Sequence, residues 1–82
     1  MQTNRLECSD KIEISAFNED GKLLAAKKLE GVHSIEAAIE KLVESEKALN
    51  APEDYVYLVK DLTNNTENRY RLNAHGNVKL IV

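Results

Sequence analysis

Apolar and polar residues alternate along much of this chain. The run K-I-E-I-S-A-F sets Ile12, Ile14 and Ala16 on one phase and Lys11, Glu13 and Ser15 on the other. A period of two marks a half-buried strand. The run halts at Asn18-Glu19-Asp20-Gly21, and a second apolar stretch, K-L-L-A-A-K-K-L, follows. Asn suits the first position of such a turn, Asp20 the bridge region, and Gly21 the positive φ of a G1 bulge. Asn18 then pairs with Lys22, and a regular ladder follows by counting. Ala16 faces Leu24 and Ile14 faces Ala26, while Phe17 meets Leu23, Ser15 meets Ala25 and Glu13 meets Lys27.

After Gly31 the period changes. Ile35, Ala38, Ile39, Leu42, Val43 and Leu49 form a helical stripe, with Ser34 as N-cap and Glu36 suited to the positive end of the dipole. Pro52 stops the helix and pushes Ala51 out of helical geometry, so the helix is expected over 34–50. The stretch D-Y-V-Y-L-V-K-D-L is apolar on both phases and reads as the third strand. A polar loop, T-N-N-T-E-N, leads to R-Y-R-L.

The segment Asn73-Ala74-His75-Gly76 repeats the Asn-x-x-Gly spacing of the first turn. The same three-residue geometry pairs Asn73 with Asn77, Leu72 with Val78, Arg71 with Lys79 and Tyr70 with Leu80. A two-residue turn would mix the faces, which a half-buried sheet penalises. His75 is therefore expected to be a turn residue.

Together these elements predict a single α+β domain over residues 1–82, β-β-α-β-β-β. One five-stranded antiparallel sheet has the strand order 2-1-3-4-5, with one helix packed on one face. A right-handed crossover from the second strand to the third favours that order. On this count the helix side holds Ile12, Ile14, Ala16, Leu24, Ala26, Val56, Leu58, Tyr70, Leu72, Val78, Leu80 and Val82. The open side carries Phe17, Leu23, Ala25, Leu29, Tyr55, Tyr57, Val59 and Ile81 among Glu13, Lys27, Arg69, Arg71 and Lys79.

Size and charge narrow the functions. An 82-residue chain supports one modest core and buries only about 60% of its unfolded surface. A net charge of −3 argues against general affinity for nucleic acid or anionic membrane, and no apolar run nears the ~18 residues of a membrane span. The first residues, M-Q-T-N-R-L-E-C-S-D, lack a secretory pattern, and a lone Cys8 suits a reducing compartment, so a cytoplasmic location is expected. The sequon at Asn64-Asn65-Thr66 then reads as a polar loop.

Reactive groups are few. Cys8 has no neighbouring base, His33 and His75 have no partner at ligand spacing, and the three glycines do not form a phosphate loop. No catalytic, cofactor or metal site is expected, and the domain reads as a non-enzyme. Two surfaces stand out instead. The first is the open sheet face, with Phe17, Leu23, Ala25, Tyr55, Tyr57, Val59, Arg69, Arg71 and Ile81 as an interface for a protein partner or a second copy in a homodimer. Its alternative use is single-stranded nucleic acid, with Tyr55 and Tyr57 stacking bases and Arg69, Arg71 and Lys79 meeting phosphates. The second is an acidic docking face on the helix, Glu36, Glu40 and Glu44. The functional expectation is a small regulator or inhibitor that self-associates or docks through the open sheet face.

Overall fold

The computed structural model describes residues 10–73 and 76–81. Its elements are β1 (Lys11–Phe17), β2 (Leu23–Glu30), α1 (Ile35–Ser45), a single 3₁₀ turn (Pro52–Asp54), β3 (Val56–Asp61), β4 (Thr66–Leu72) and β5 (Val78–Ile81). The five strands form one antiparallel sheet in the order β2-β1-β3-β4-β5, with one helix among the described residues, as the sequence predicts.

Both Asn-x-x-Gly turns close in the same way. The Asn18 amide donates to Lys22 O at 3.0 Å and the Gly21 amide to Asn18 O at 3.0 Å. In the second turn the Asn73 amide donates to Asn77 O at 2.9 Å and the Gly76 amide to Asn73 O at 3.0 Å. In each, the Asn side chain accepts from the backbone four residues on, Lys22 at 2.9 Å and Asn77 at 3.0 Å. Gly21 has φ +81° and Gly76 φ +80°, the left-handed geometry that a Cβ disfavours. His75, expected as a turn residue, lies outside the described residues, as does Cys8. Beyond the second turn the register is the predicted one: Leu72 faces Val78, Arg71 faces Lys79 and Tyr70 faces Leu80.

The first hairpin departs from the regular count. Phe17 faces Leu23, but Ala16 then faces Ala25, so Leu24 is an extra residue and a β-bulge. Ser15 faces Ala26, Ile14 faces Lys27, Glu13 faces Lys28 and Ile12 faces Leu29. Ala25 and Leu29 are therefore buried on the helix side, and Ala26 is exposed on the other. The cause is visible one pair past the counted ladder. An unbroken register would set Lys28 against buried Ile12 and leave Leu29 outside. The bulge exchanges them, burying Leu29 and placing Lys28 opposite Glu13.

The third strand has the opposite phase to the expected one. Tyr57 pairs with Ala16 on one edge of β3 and with Tyr70 on the other, and Val59 pairs with Ile14. Tyr55, Tyr57 and Val59 thus belong to the core, at 6%, 0% and 4% exposure, while Val56 and Leu58 occupy the open face. Both phases of this strand are apolar, so alternation alone carries no phase information.

The helix is also shorter than predicted. Ser34 caps it, its Oγ accepting from the Ala37 amide at 3.2 Å. It ends at Glu46, whose backbone is extended. The chain then folds back so that Leu49 is buried, and tertiary contact outweighs helix propensity over 46–50. Ile35, Ala38, Ile39 and Leu42 join Ile12, Ile14, Ala16, Leu29 and Tyr57 in one core between α1 and the sheet.

Two substitutions test these turns and caps. Gly21→Ala is expected to lower stability in urea unfolding by about 1–2 kcal/mol, because the new Cβ meets no atom but the backbone stays left-handed. Ser34→Ala should cost about 1 kcal/mol through the lost cap, with the urea m-value unchanged in both variants.

Candidate functional site

The sheet has two unlike faces. One is covered by α1 and the segment that follows it. The other, by the observed pairing, presents Phe17, Leu23, Val56, Leu58 and Ile81 together with Arg69, Arg71 and Lys79. Leu23 is 53% exposed and Ile81 37%, and Phe17, Val56 and Leu58 are half-buried. Phe17, Val56, Leu58 and Arg69 line a shallow depression of about 390 Å³ against the Asn18–Gly21 turn. Farther along the same face, charges alternate across four strands: Lys28, Glu13, Lys60 and Glu67.

Of the residues expected on this face, Phe17, Leu23, Arg69, Arg71 and Ile81 are there. Ala25, Tyr55, Tyr57 and Val59 are not, since each is buried on the helix side. Lys27 and Leu29 also belong to the helix side, opposite Ile14 and Ile12. Val56 and Leu58 take the vacated places, and alternation did not reveal them.

The two tyrosines have a structural task. The Tyr57 hydroxyl donates to Pro52 O at 2.9 Å. The Tyr55 hydroxyl accepts from the Ala51 amide at 3.2 Å and lies 3.4 Å from Ala48 O and 3.2 Å from Asn50 Oδ1. Their rings meet edge to face, centroids 6.4 Å apart. Together they fasten the 48–52 return segment beneath which they are packed. A buried tyrosine needs a partner for its hydroxyl, and the turn after a helix supplies carbonyls in abundance. Burial pushes the Tyr57 hydroxyl up to about 12, with smaller contributions from Tyr55 and Glu53.

On α1, Glu40 and Glu44 are exposed and Glu36 is partly buried. All three line a groove with Ile39, Val43, Pro52, Leu72, Gly76 and Val78, between the helix and the β4–β5 hairpin.

His33 stands on the surface, its Nε2 3.2 Å from Asp10 Oδ1, and both side chains are largely exposed. No group of three His, Cys, Asp or Glu side chains converges at metal-binding distance among the described residues. No described helix is long and apolar enough to cross a membrane. Comparison of the chain with protein-family models, curated protein sequences and solved structures gave no match.

The clasp predicts a pH dependence. Tyr57 ionises near 10 when unfolded and near 12 when folded, so its neutral form is favoured by the native state. That contribution is complete below about pH 10 and is lost between about pH 10 and 12. Urea unfolding across this window should show stability falling with pH, and Tyr57→Phe should fall less steeply. An equal slope in both proteins contradicts the assignment.

Proposed function

We propose that this domain is a non-enzymatic protein-interaction module acting in the cytoplasm as a small regulator or inhibitor, and that it pairs as a homodimer through the open sheet face. The supporting observation is the uncovered cluster of Phe17, Leu23, Val56, Leu58 and Ile81, edged by Arg69 and Arg71. Apolar side chains gathered on one face gain from mutual burial, at about 25 cal/mol per Å² removed from water. Arginine beside apolar side chains suits an interface rim.

A two-fold pairing uses the same surface twice. The row Lys28, Glu13, Lys60, Glu67 alternates in sign, so an antiparallel copy can set cation against carboxylate. Two sheets packed face to face lie about 10 Å apart, with the side chains of both inner faces filling the space between them. Burying a flat face on a partner acts by occupying a surface, which is how a small protein without reactive groups regulates a larger one.

The alternative use, single-stranded nucleic acid, has lost its main support. Tyr55 and Tyr57 point into the core, and Phe17 is the one aromatic residue on the described open face. The cations Arg69, Arg71 and Lys79 remain there, but stacking on successive bases needs a platform.

Sedimentation equilibrium at about 100 µM, a concentration that populates complexes with micromolar Kd, tests the pairing. The wild type should sediment as a dimer and Leu58→Glu as a folded monomer. Tyr57→Glu should instead unfold the chain, because a carboxylate would replace a fully buried ring. A monomeric wild type at this concentration rejects the homodimer.

A further inference from the structure

We propose that the groove between α1 and the β4–β5 hairpin receives a basic peptide segment of a partner protein, with an apolar side chain seated on the floor and arginine or lysine on the helix rim. This surface is separate from the open sheet face, and the inference does not rest on the pairing described above.

The groove holds about 260 Å³, room for one or two apolar side chains. Its floor is Ile39, Val43, Leu72 and Val78. Val43, Leu72 and Val78 pack on the core yet stay partly open to solvent. One wall consists of Glu36, Glu40 and Glu44, every fourth residue of α1. That spacing puts the three carboxylates on one side of the helix over about 12 Å. None of them is ion-paired to a described residue. Among the described residues no Lys or Arg lines the groove. Nearby Lys41 faces a second depression, which it shares with Glu44 as well as with Lys27, Leu29 and Glu30, so Glu44 stands between the two hollows.

A second observation points the same way. Glu36 Oε1 is shut off from solvent and has no hydrogen-bond donor among the described residues. A buried carboxylate oxygen without a donor is costly. A cation seated beside Glu36 at this end of the groove offsets that cost by charge attraction.

Charge and shape together select the occupant. Three like charges in a row repel one another slightly and attract a cationic chain. A simple polycation would leave the floor wet, and a purely apolar peptide would leave the carboxylates unanswered. A helix with arginines every fourth residue beside a leucine stripe repeats the spacing of the wall. The occupant therefore combines both features.

The test uses a fluorescein-labelled helical peptide of about 14 residues, with arginines at every fourth position and two leucines on the adjoining stripe. Fluorescence anisotropy should show saturable binding to the full chain. Glu40→Gln/Glu44→Gln, both changes at exposed positions, should weaken binding about tenfold or more while the thermal midpoint holds. Replacing the peptide leucines by serine should weaken it to a similar degree. Leu58→Glu, on the opposite face, should bind as the wild type does. Unchanged affinity in the double glutamine variant overturns the proposal. So does equal binding of the serine peptide, which would mean charge attraction alone. Loss of dimer sedimentation in the double glutamine variant would show a second copy of this chain in the groove and would equally overturn it.

Discussion

One helix cannot cover both sides of a five-stranded sheet. α1 has 11 residues, so it spans about 16 Å with a body about 10 Å wide. Five strands at about 4.8 Å spacing make a sheet about 19 Å across before side chains are counted. The helix therefore covers one face over β2 and β1, and the return segment extends that cover to β4, where Tyr70 is buried; a groove remains between α1 and the β4–β5 hairpin, and the opposite face stays open. Every later feature follows from this shortage of cover: the tyrosine clasp, the apolar patch and the acid-walled groove.

The clasp is how the fold makes the most of a short helix. Tyr55 and Tyr57 carry their rings into the core and spend their hydroxyls on the chain between the helix and β3. The segment 46–54 thus becomes a second covering element beside the helix. Charge is divided by the same geometry. The acidic row lies on the helix, while Arg69, Arg71, Lys79 and Lys60 lie on the opposite surface. The domain is acidic as a whole but presents two surfaces of different character, each suited to a different kind of contact.

The fold was largely legible in the sequence, because turns and alternation are local. Asn18 with Gly21 and Asn73 with Gly76 gave both tight turns, and the second gave its register. The faces were less legible, for two physical reasons. A bulge at Leu24 costs little locally and is driven by the distant choice between Lys28 and Leu29 for the place opposite Ile12. The phase of β3 is set by hydroxyl partners at Ala48, Asn50 and Pro52, which the period of the strand does not encode. For that reason alternation assigns Tyr57 to the open face and Val56 and Leu58 to the helix side, the reverse of the observed phase. The acidic spacing of Glu36, Glu40 and Glu44 was plain, but only the packing of Leu72 and Val78 against the helix made a groove beside it.

In the proposed pairing the open sheet face is buried against another copy in solution. Paramagnetic relaxation by a soluble, uncharged gadolinium chelate measures it directly, methyl by methyl. At concentrations where the protein associates, the methyls of Val56, Leu58 and Ile81 should be shielded, while those of Leu62, 48% exposed in the β3–β4 turn, relax quickly. On dilution the shielding should vanish while the methyls of Ile12 and Ile14, fully buried in the core, stay protected. Open-face methyls that relax as fast as Leu62 at every concentration would contradict the account.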